Sequence, residues 1–191
     1  VFDSKLSRAR LPKHFGEGSA YRSAGKRLPV PSSFYEPFSN WQEMLTLQRP
    51  DLFQQIERIA HTAQRPQQIR ALLKLISSSY GLKMFDIVEG AKRQLSQTER
   101  AVIHLQGSGF DVAESISRGE FEAVIGPEIR LIEDYLDNLL RDAGLRPDDI
   151  DVVIRTGGSS QIPAFVQMLE ARFGRERVRS VETFSSVTSG L

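Results

Sequence analysis

A chain of 191 residues is long enough to bury the core of one ordinary domain, or of two small ones, without crosslinks. Its hydrophobic (40%) and charged (26%) fractions exclude a disordered or collagen-like protein, and the absence of Cys excludes disulfide frameworks, cysteine-type zinc sites and thiol catalysis. The net charge of +1 gives no overall attraction for a polyanion, and no apolar run approaches the roughly 18 residues of a membrane helix. Because the sequence starts at Val1 rather than Met, we expect it to be an excised piece.

Positive charge is concentrated in the first 30 residues, which hold seven Lys and Arg against two acids. Residues 111–151 have the opposite bias, with twelve acids against four bases. The basic stretch indicates either a nucleic-acid arm or a surface that faces the acidic half of the chain. We favour the second interpretation, because few aromatic residues are interleaved with the bases.

The next residues predict an irregular connection followed by helices. Gly, Ser and Pro are frequent over 16–40, which is typical of loops. Pro50 and Pro66 are each placed to begin a helix, and Gly81 to end the second one. The spacing of apolar residues predicts a further helix from about 83 to 96.

The second half of the chain predicts strands and helices together. We expect strands at 101–105 and 110–113, then a helix that starts at a capping box between Ser117 and Glu120 and that Pro127 breaks. The apolar run at 150–154 predicts a central strand with both faces buried. A glycine turn and a helix over 161–173 follow, and all three strands are expected in one sheet.

Two features indicate a ligand, and each has a simpler interpretation. Glu89, Lys92, Arg93 and Ser96 lie at i, i+3, i+4 and i+7, so they form one polar stripe on a helix. From periodicity alone a solvated face is favoured. Strand, Gly157-Gly158 turn and helix is an arrangement in which backbone amides approach a nucleotide, but such a turn is at least as often a packing requirement.

Three segments, in order, resemble one protein family. They are EGAKRQLS at 89–96, ISRGEFE at 116–122 and VVIRTGGSSQIP at 152–163. Each resembles a motif of the ATPase domain of the seventy-kilodalton heat-shock chaperone (DnaK-like) family, within the actin-like ATPases: E-x-A-K-x-x-L-S, I-T-R-x-x-F-E and V-L-V-G-G-S-S/T-R-I-P. Their order and spacing make coincidence improbable, and they indicate a divergent, bacterial-type member.

The resemblance implies an α/β fold: one lobe of an actin-like (ribonuclease H-like) ATPase, with a mixed sheet flanked by helices and a helical subdomain. It divides the chain into an entry segment with an irregular connection (1–40), a helical subdomain with a small sheet (41–115) and an α/β core subdomain of the second lobe (116–191). Phe2 and Asp3 resemble the F-D that follows a diglycine turn in the family.

The resemblance also implies an ATP or ADP site whose adenosine-binding residues are Glu89, Lys92, Arg93, Ser96, Gly157, Gly158, Ser159 and Gln161. Glu89 and Lys92 are implied to bond the ribose, and Lys92 also to place positive charge near phosphate. Ser96 is implied to bond the adenine edge, and Arg93 to lie along the base. The two glycines let the backbone approach the nucleoside.

The sequence departs from the family pattern at three places. Gln161 replaces an Arg that stacks on adenine, so stacking is expected to be weaker. The segment ETFSS at 182–186 replaces N-P-D-E-A, which puts another nucleoside contact in doubt. The helical stretch at 31–80 is longer than in typical members, and we expect it in the region where exchange factors dock in relatives.

The resemblance predicts that this chain supplies the adenosine half of an ATP site and couples nucleotide state to lobe movement in a cytoplasmic chaperone-like ATPase. Implied partners are the nucleotide, the first lobe of the same protein and an exchange factor or cochaperone, with no nucleic acid and no membrane. No catalytic residue or metal ligand is expected here, because the phosphate loops and magnesium-positioning carboxylate lie elsewhere in the family. Two alternatives stay open: a partner-binding module with a decayed site, and an actin-like small-molecule kinase lobe.

Overall fold

A computed structural model describes residues 1–181, and it consists of helices with three small sheets. The α-helices are α1 (Phe2–Arg10), α2 (Trp41–Met44), α3 (Pro50–Thr62), α4 (Pro66–Ser77), α5 (Gly81–Gln97), α6 (Arg118–Asp142) and α7 (Pro163–Phe173). The strands are β1 (Ala20–Ser23), β2 (Lys26–Pro29), β3 (Arg100–Gly107), β4 (Phe110–Ser117), β5 (Val153–Arg155) and β6 (Val178–Ser180). Short 3₁₀ turns connect several of them. None of the described helices is long and apolar enough to cross a membrane.

The core lies between helices α1, α4 and α5 and one face of the β3–β4 hairpin. Every second residue of β3 and β4 is buried, as expected for a hairpin with one face on a core. The inward positions of β3 are Ala101, Ile103 and Leu105, all 2% exposed or less. Helix α1 buries Phe2 and Leu6 against this core and contacts α5 and α6.

The expected single sheet is wrong for residues 1–181. Strands β3 and β4 pair only with each other, and β5 pairs in parallel with β6, which gives separate two-stranded sheets. The prediction that residues 150–154 form a strand buried on both faces is also wrong. Val152 is 48% and Ile154 47% exposed, because β5 has three residues and a described neighbour on one edge. The division into 1–40, 41–115 and 116–191 stays a prediction.

Three local predictions also require correction. Residues 16–40 are not wholly irregular, because they contain the β1–β2 hairpin. Gly81 begins α5 instead of ending α4; the chain turns two residues earlier, at Ser79, which has φ +53°. Pro127 lies within a continuous α6, whose buried face includes Ile125 and Ile129 on either side of it. The capping box is confirmed, since Glu120 N donates to Ser117 Oγ (3.2 Å) and Ser117 N to Glu120 Oε2 (2.8 Å).

A buried carboxylate joins the end of α1 to the sheet. Glu114 occupies an inward position of β4 and is 5% exposed. Its oxygens bond Arg10 Nε (2.8 Å), Lys13 Nζ (2.9 Å) and His14 Nε2 (2.7 Å). Burial would raise the pKa of Glu114, but hydrogen bonds from Lys13 and His14 and the charges of Arg10 and Lys13 outweigh it and lower that pKa.

Ion pairs within the fold involve four of the seven bases near the amino terminus. Lys5 pairs with Glu128 (2.6 Å), Arg8 with Glu17 (2.8 Å), and Arg10 and Lys13 with Glu114. Three of these four bases therefore pair with acids from the stretch at 111–151. The interpretation of this part as a surface that faces the acidic half of the chain agrees with these contacts.

Replacing Glu114 should destabilise the protein in a pH-dependent way. Glu114→Gln leaves Lys13 and His14 without their carboxylate and Arg10 with Glu120 alone, and we expect a loss of about 1–3 kcal/mol in the free energy of unfolding near pH 7. Because the pKa of Glu114 is lowered from its ordinary value of 4.5, its contribution is fully present above pH 4.5 and disappears as the pH falls through the folded-state pKa.

Urea unfolding of the wild type and of Glu114→Gln, at pH 7 and at several pH values below 4.5, measures this loss of stability. The difference between wild type and Glu114→Gln should shrink on acidification, while Glu57→Gln, at an exposed α3 position outside any ion pair of residues 1–181, should change little at either pH. A constant difference at all pH values would contradict the assignment.

The β1–β2 turn holds a residue in an unfavourable conformation. Ser23 pairs with Lys26, so Ala24 and Gly25 form a two-residue loop, with φ of +47° and +75°. Such turns favour Asn-Gly, since a positive φ is costly for Ala. Ala24→Asn should therefore raise the free energy of unfolding by about 1 kcal/mol. Ala143→Asn, at an exposed position with φ −79°, is the control that should give no gain in the same denaturation experiment.

Candidate functional site

The polar stripe of α5 does not point uniformly into solvent. Glu89 and Arg93 are exposed and Ser96 is half-buried, but Lys92 is only 4% exposed. Lys92 lies beside Val88, Ala91 and Leu95, which form the buried face of the helix. The Oγ of Ser96 donates to the carbonyl of Lys92 at 3.3 Å. The simpler interpretation, a solvated face with an internal ion pair, is wrong for Lys92.

The partner of Lys92 comes from the other end of the sequence. Its Nζ lies 2.9 Å from Oδ1 and 3.0 Å from Oδ2 of Asp3, in the first turn of α1. A carboxylate is favourable there because the N-terminus of a helix carries partial positive charge. Sequence reasoning missed this pair, although Asp3 is one of two acids among the first 30 residues and that isolation was an available signal.

The glycine turn that follows β5 is open on its outer side. Gly157 has φ +82° and ψ 161°, a region restricted to glycine, and Gly158 begins a short 3₁₀ turn that ends at Gln161. Ser160 Oγ donates to the Gly157 carbonyl at 2.7 Å, and Arg155 donates to the carbonyl of Ser160. A Cβ at either glycine would meet no atom within 4 Å.

An apolar cleft of about 490 Å³ adjoins this turn. Its lining comes from the start of α1, the middle of α6, the turn and α7: Val1, Phe2, Glu128, Leu131, Ile132, Thr156, Ser159, Ser160 and Phe165. Of the residues predicted from sequence, Ser159 lines this cleft, while Gln161 is exposed beside it. The cleft was not predicted, because its walls come from segments more than 100 residues apart.

The first turn of α1 connects the two predicted features. Phe2 lines the cleft beside Ser159, and the next residue, Asp3, bonds Lys92 of α5. The stripe and the glycine turn are about 65 positions apart in sequence. Two consecutive residues at the start of α1 nevertheless contact one and lie beside the other.

Comparison with known proteins decides the family. Residues 60–191 match the family described as Hsp70 protein. The chain belongs to the Hsp70 family. This confirms the resemblance carried by the three motifs, and it implies an actin-like ATPase fold, with which a mixture of helices and small sheets is consistent.

Individual Hsp70 relatives match over part of the chain. It is 32% identical to the chaperone protein DnaK of Thermus thermophilus over 116 residues, which are 56% of this chain and 19% of that protein. It is 33% identical to heat shock protein hsp88 of Neurospora crassa over 90 residues (46% and 13%), and 27% identical to a chaperone protein HscA homolog of Shewanella denitrificans over 126 residues (65% and 20%). The matched part therefore spans a fifth or less of these relatives.

The Asp3–Lys92 pair makes a prediction about stability. Asp3→Asn leaves the ammonium of Lys92 buried without a counter-charge, and we expect it to cost about 3 kcal/mol of unfolding free energy. Lys92→Met leaves Asp3, whose side chain is 27% exposed and keeps part of its hydration, so it should cost less, about 1–2 kcal/mol.

A double-mutant cycle by chemical denaturation separates this pair from general packing effects. The double variant should lose less than the sum of the two single losses, because neither charge is then left alone. Additive losses would mean that the two side chains do not interact.

Proposed function

We propose that this Hsp70-family chain supplies the adenosine-binding half of an ATP site in a chaperone-like ATPase, and that it couples nucleotide state to movement of its lobe. The observation that carries the proposal is the first turn of α1, which bonds α5 through Asp3 and Lys92 and lines the cleft beside the glycine turn through Phe2. Ligand contacts at α5 and at the turn therefore act on one shared element.

The exposed part of the α5 stripe fits a nucleoside. Within residues 1–181 the carboxylate of Glu89 has no hydrogen-bond or ion-pair partner, so it can accept hydrogen bonds from ribose hydroxyls. The exposed guanidinium of Arg93 offers a flat cation that can lie along a base. Ser96 is half-buried, and its hydroxyl can rotate from the Lys92 carbonyl to an adenine edge. These three side chains need no rearrangement of the core to reach a ligand.

Lys92 cannot contact a ligand in the way that an exposed residue of the stripe would, because it is buried. Its ammonium is buried and held by Asp3, so it reaches a ribose only by sharing its donors between the ligand and that carboxylate. A ligand that attracts Lys92 would weaken its hold on α1, whose start lines the cleft. This link is the proposed route by which nucleotide state moves the lobe, as a hinge motion.

Glycine at position 158 leaves space for a ligand beside the backbone. Gly157 is required by its own backbone angles, whereas Gly158 has no positive φ and no described neighbour that a Cβ would strike. In the proposed site, a nucleoside approaches the backbone through this open space.

The remaining chemistry of an ATPase belongs to other parts of the proposed protein. When bound, magnesium would neutralise charge on the phosphates, and its ligands are assigned to the first lobe rather than to this chain. The departure at 182–186 lies outside the described residues. We place the protein in the cytoplasm, with an exchange factor or cochaperone as partner. The Hsp70 match does not favour a small-molecule kinase lobe.

Nucleotide binding by the full-length protein tests the proposal. Gly158→Val places a branched side chain where the nucleoside is proposed to contact the protein backbone. It should weaken ATP binding, measured by calorimetry, at least tenfold. Its Tm should change little, because a Cβ at that position meets open space. Lys92→Ala should also weaken ATP binding, with a loss of stability.

Gly119→Val is the matched control for Gly158→Val. It lies in the first turn of α6, has no positive φ and also faces open space, but it is outside the proposed site. It should leave ATP affinity within about twofold of wild type. If the wild-type protein bound no nucleotide at millimolar ATP, the module with a decayed site would be the correct alternative.

A further inference from the structure

A second surface of the molecule carries positive charge that no described residue neutralises. The β1–β2 hairpin exposes Arg22, Lys26 and Arg27, and the adjoining end of α3 exposes Arg58. Within residues 1–181 none of these four makes an ion pair, in contrast to Lys5, Arg8, Arg10 and Lys13 earlier in the same basic stretch. We call the three arginines, Arg22, Arg27 and Arg58, the hairpin basic patch.

Two of these charges face each other at a cost. Arg22 and Arg27 are directly opposite in the antiparallel register, so their side chains leave the same face of the hairpin. Like charges in such a pair are destabilising unless an anion lies between them. A hydrogen bond from Arg27 Nη2 to Gln64 Oε1 (2.9 Å) also fixes the position of the Arg27 guanidinium. An anion bound between the two guanidinium groups would relieve their repulsion.

The patch lines two adjoining clefts that share Tyr21, Arg22 and Thr62. One, of about 270 Å³, has Arg58 on its other wall, and the second, of about 410 Å³, has Arg27 and His61. No acid is among the lining residues of either cleft.

Backbone hydrogen bonds attach the β1–β2 hairpin to the connection between α3 and α4, so the walls of the clefts are held in place. Gln64 N donates to the carbonyl of Ala20 at 2.8 Å, and Tyr21 forms an antiparallel bridge with Ala63. These bonds tie β1 to the connection between α3 and α4. Binding therefore does not require ordering of the hairpin first, which lowers the entropic cost of association.

We propose that the hairpin basic patch binds an extended acidic segment of a partner protein. Arginine forks match carboxylates in a bidentate geometry, and successive side chains of an extended segment can enter the two adjoining clefts. Nucleic acid fits less well. Tyr21, half-buried, is the sole aromatic residue among the lining of these clefts, so there is no platform for stacking bases, and three cleft-lining arginines are fewer than the six to ten phosphate contacts typical of duplex binding.

Fluorescence anisotropy with the full chain tests this proposal. The probe is a dye-labelled peptide of about ten residues that alternates Glu with Ala, and the reference is the same peptide with Gln for Glu. The acidic peptide should bind and the Gln peptide should not. Arg22→Gln/Arg27→Gln should weaken binding of the acidic peptide about tenfold or more, and added salt should weaken the wild-type complex.

The matched control is Arg100→Gln/Arg175→Gln, which removes the same charge from two exposed arginines that make no ion pair within residues 1–181. It should change affinity less than twofold. The Tm of Arg22→Gln/Arg27→Gln should stay the same or rise, because repulsion is relieved, so lost binding would not reflect unfolding. Equal binding by both double variants, no binding at millimolar peptide, or tighter binding of an oligothymidylate of similar length would each overturn the proposal.

Discussion

Helix α1 is held at both ends by ion pairs that each include a buried charge, Lys92 at one end and Glu114 at the other, and the rest of the arrangement depends on this. At its start Asp3 bonds Lys92 of α5, and just beyond its end Lys13 joins Arg10 on Glu114 of β4. Buried charges are costly unless they are paired, so each pair tolerates little displacement of its partner. The apolar contacts of Phe2 and Leu6 contribute burial energy, but burial is not directional. The ion pairs at the two ends therefore fix the position of α1 against α5 and β4.

The basic amino-terminal stretch has two parts with different roles. The bases up to Lys13 pair with acids within the fold. They are close together in sequence because α1 and the turn that follows it bring this part of the chain to β4. Those of the hairpin, such as Arg22 and Arg27, face no described acid. Net charge averages over both parts, which is why a total of +1 concealed a local surface suited to an anion.

Sequence patterns predicted features that depend on neighbours along the chain. The spacing around α5 and the Ser117–Glu120 capping box act within one or two turns of helix, and both agree with the structure. Features that depend on distant segments could not be read in this way. Glu114 is in an alternating strand where its inward direction is visible only once the strand is paired, and its three hydrogen-bond partners are about 100 residues away. The strand at Ile154 was expected to be buried from its apolar run, but composition does not say which elements will cover a strand.

Lys92 shows why a motif and its structural context must be considered together. The family motif requires a lysine at that point of the helix, and periodicity places it on a polar stripe. The fold instead buries it on the edge of the core, where an unpaired ammonium would be expensive, and Asp3 removes that cost. A lysine chosen only for packing would be replaced more cheaply by an apolar residue of similar length. The buried pair places a charge at the junction between α5 and the helix that begins at the cleft. A charge at this position is what the proposed nucleotide-responsive contact requires.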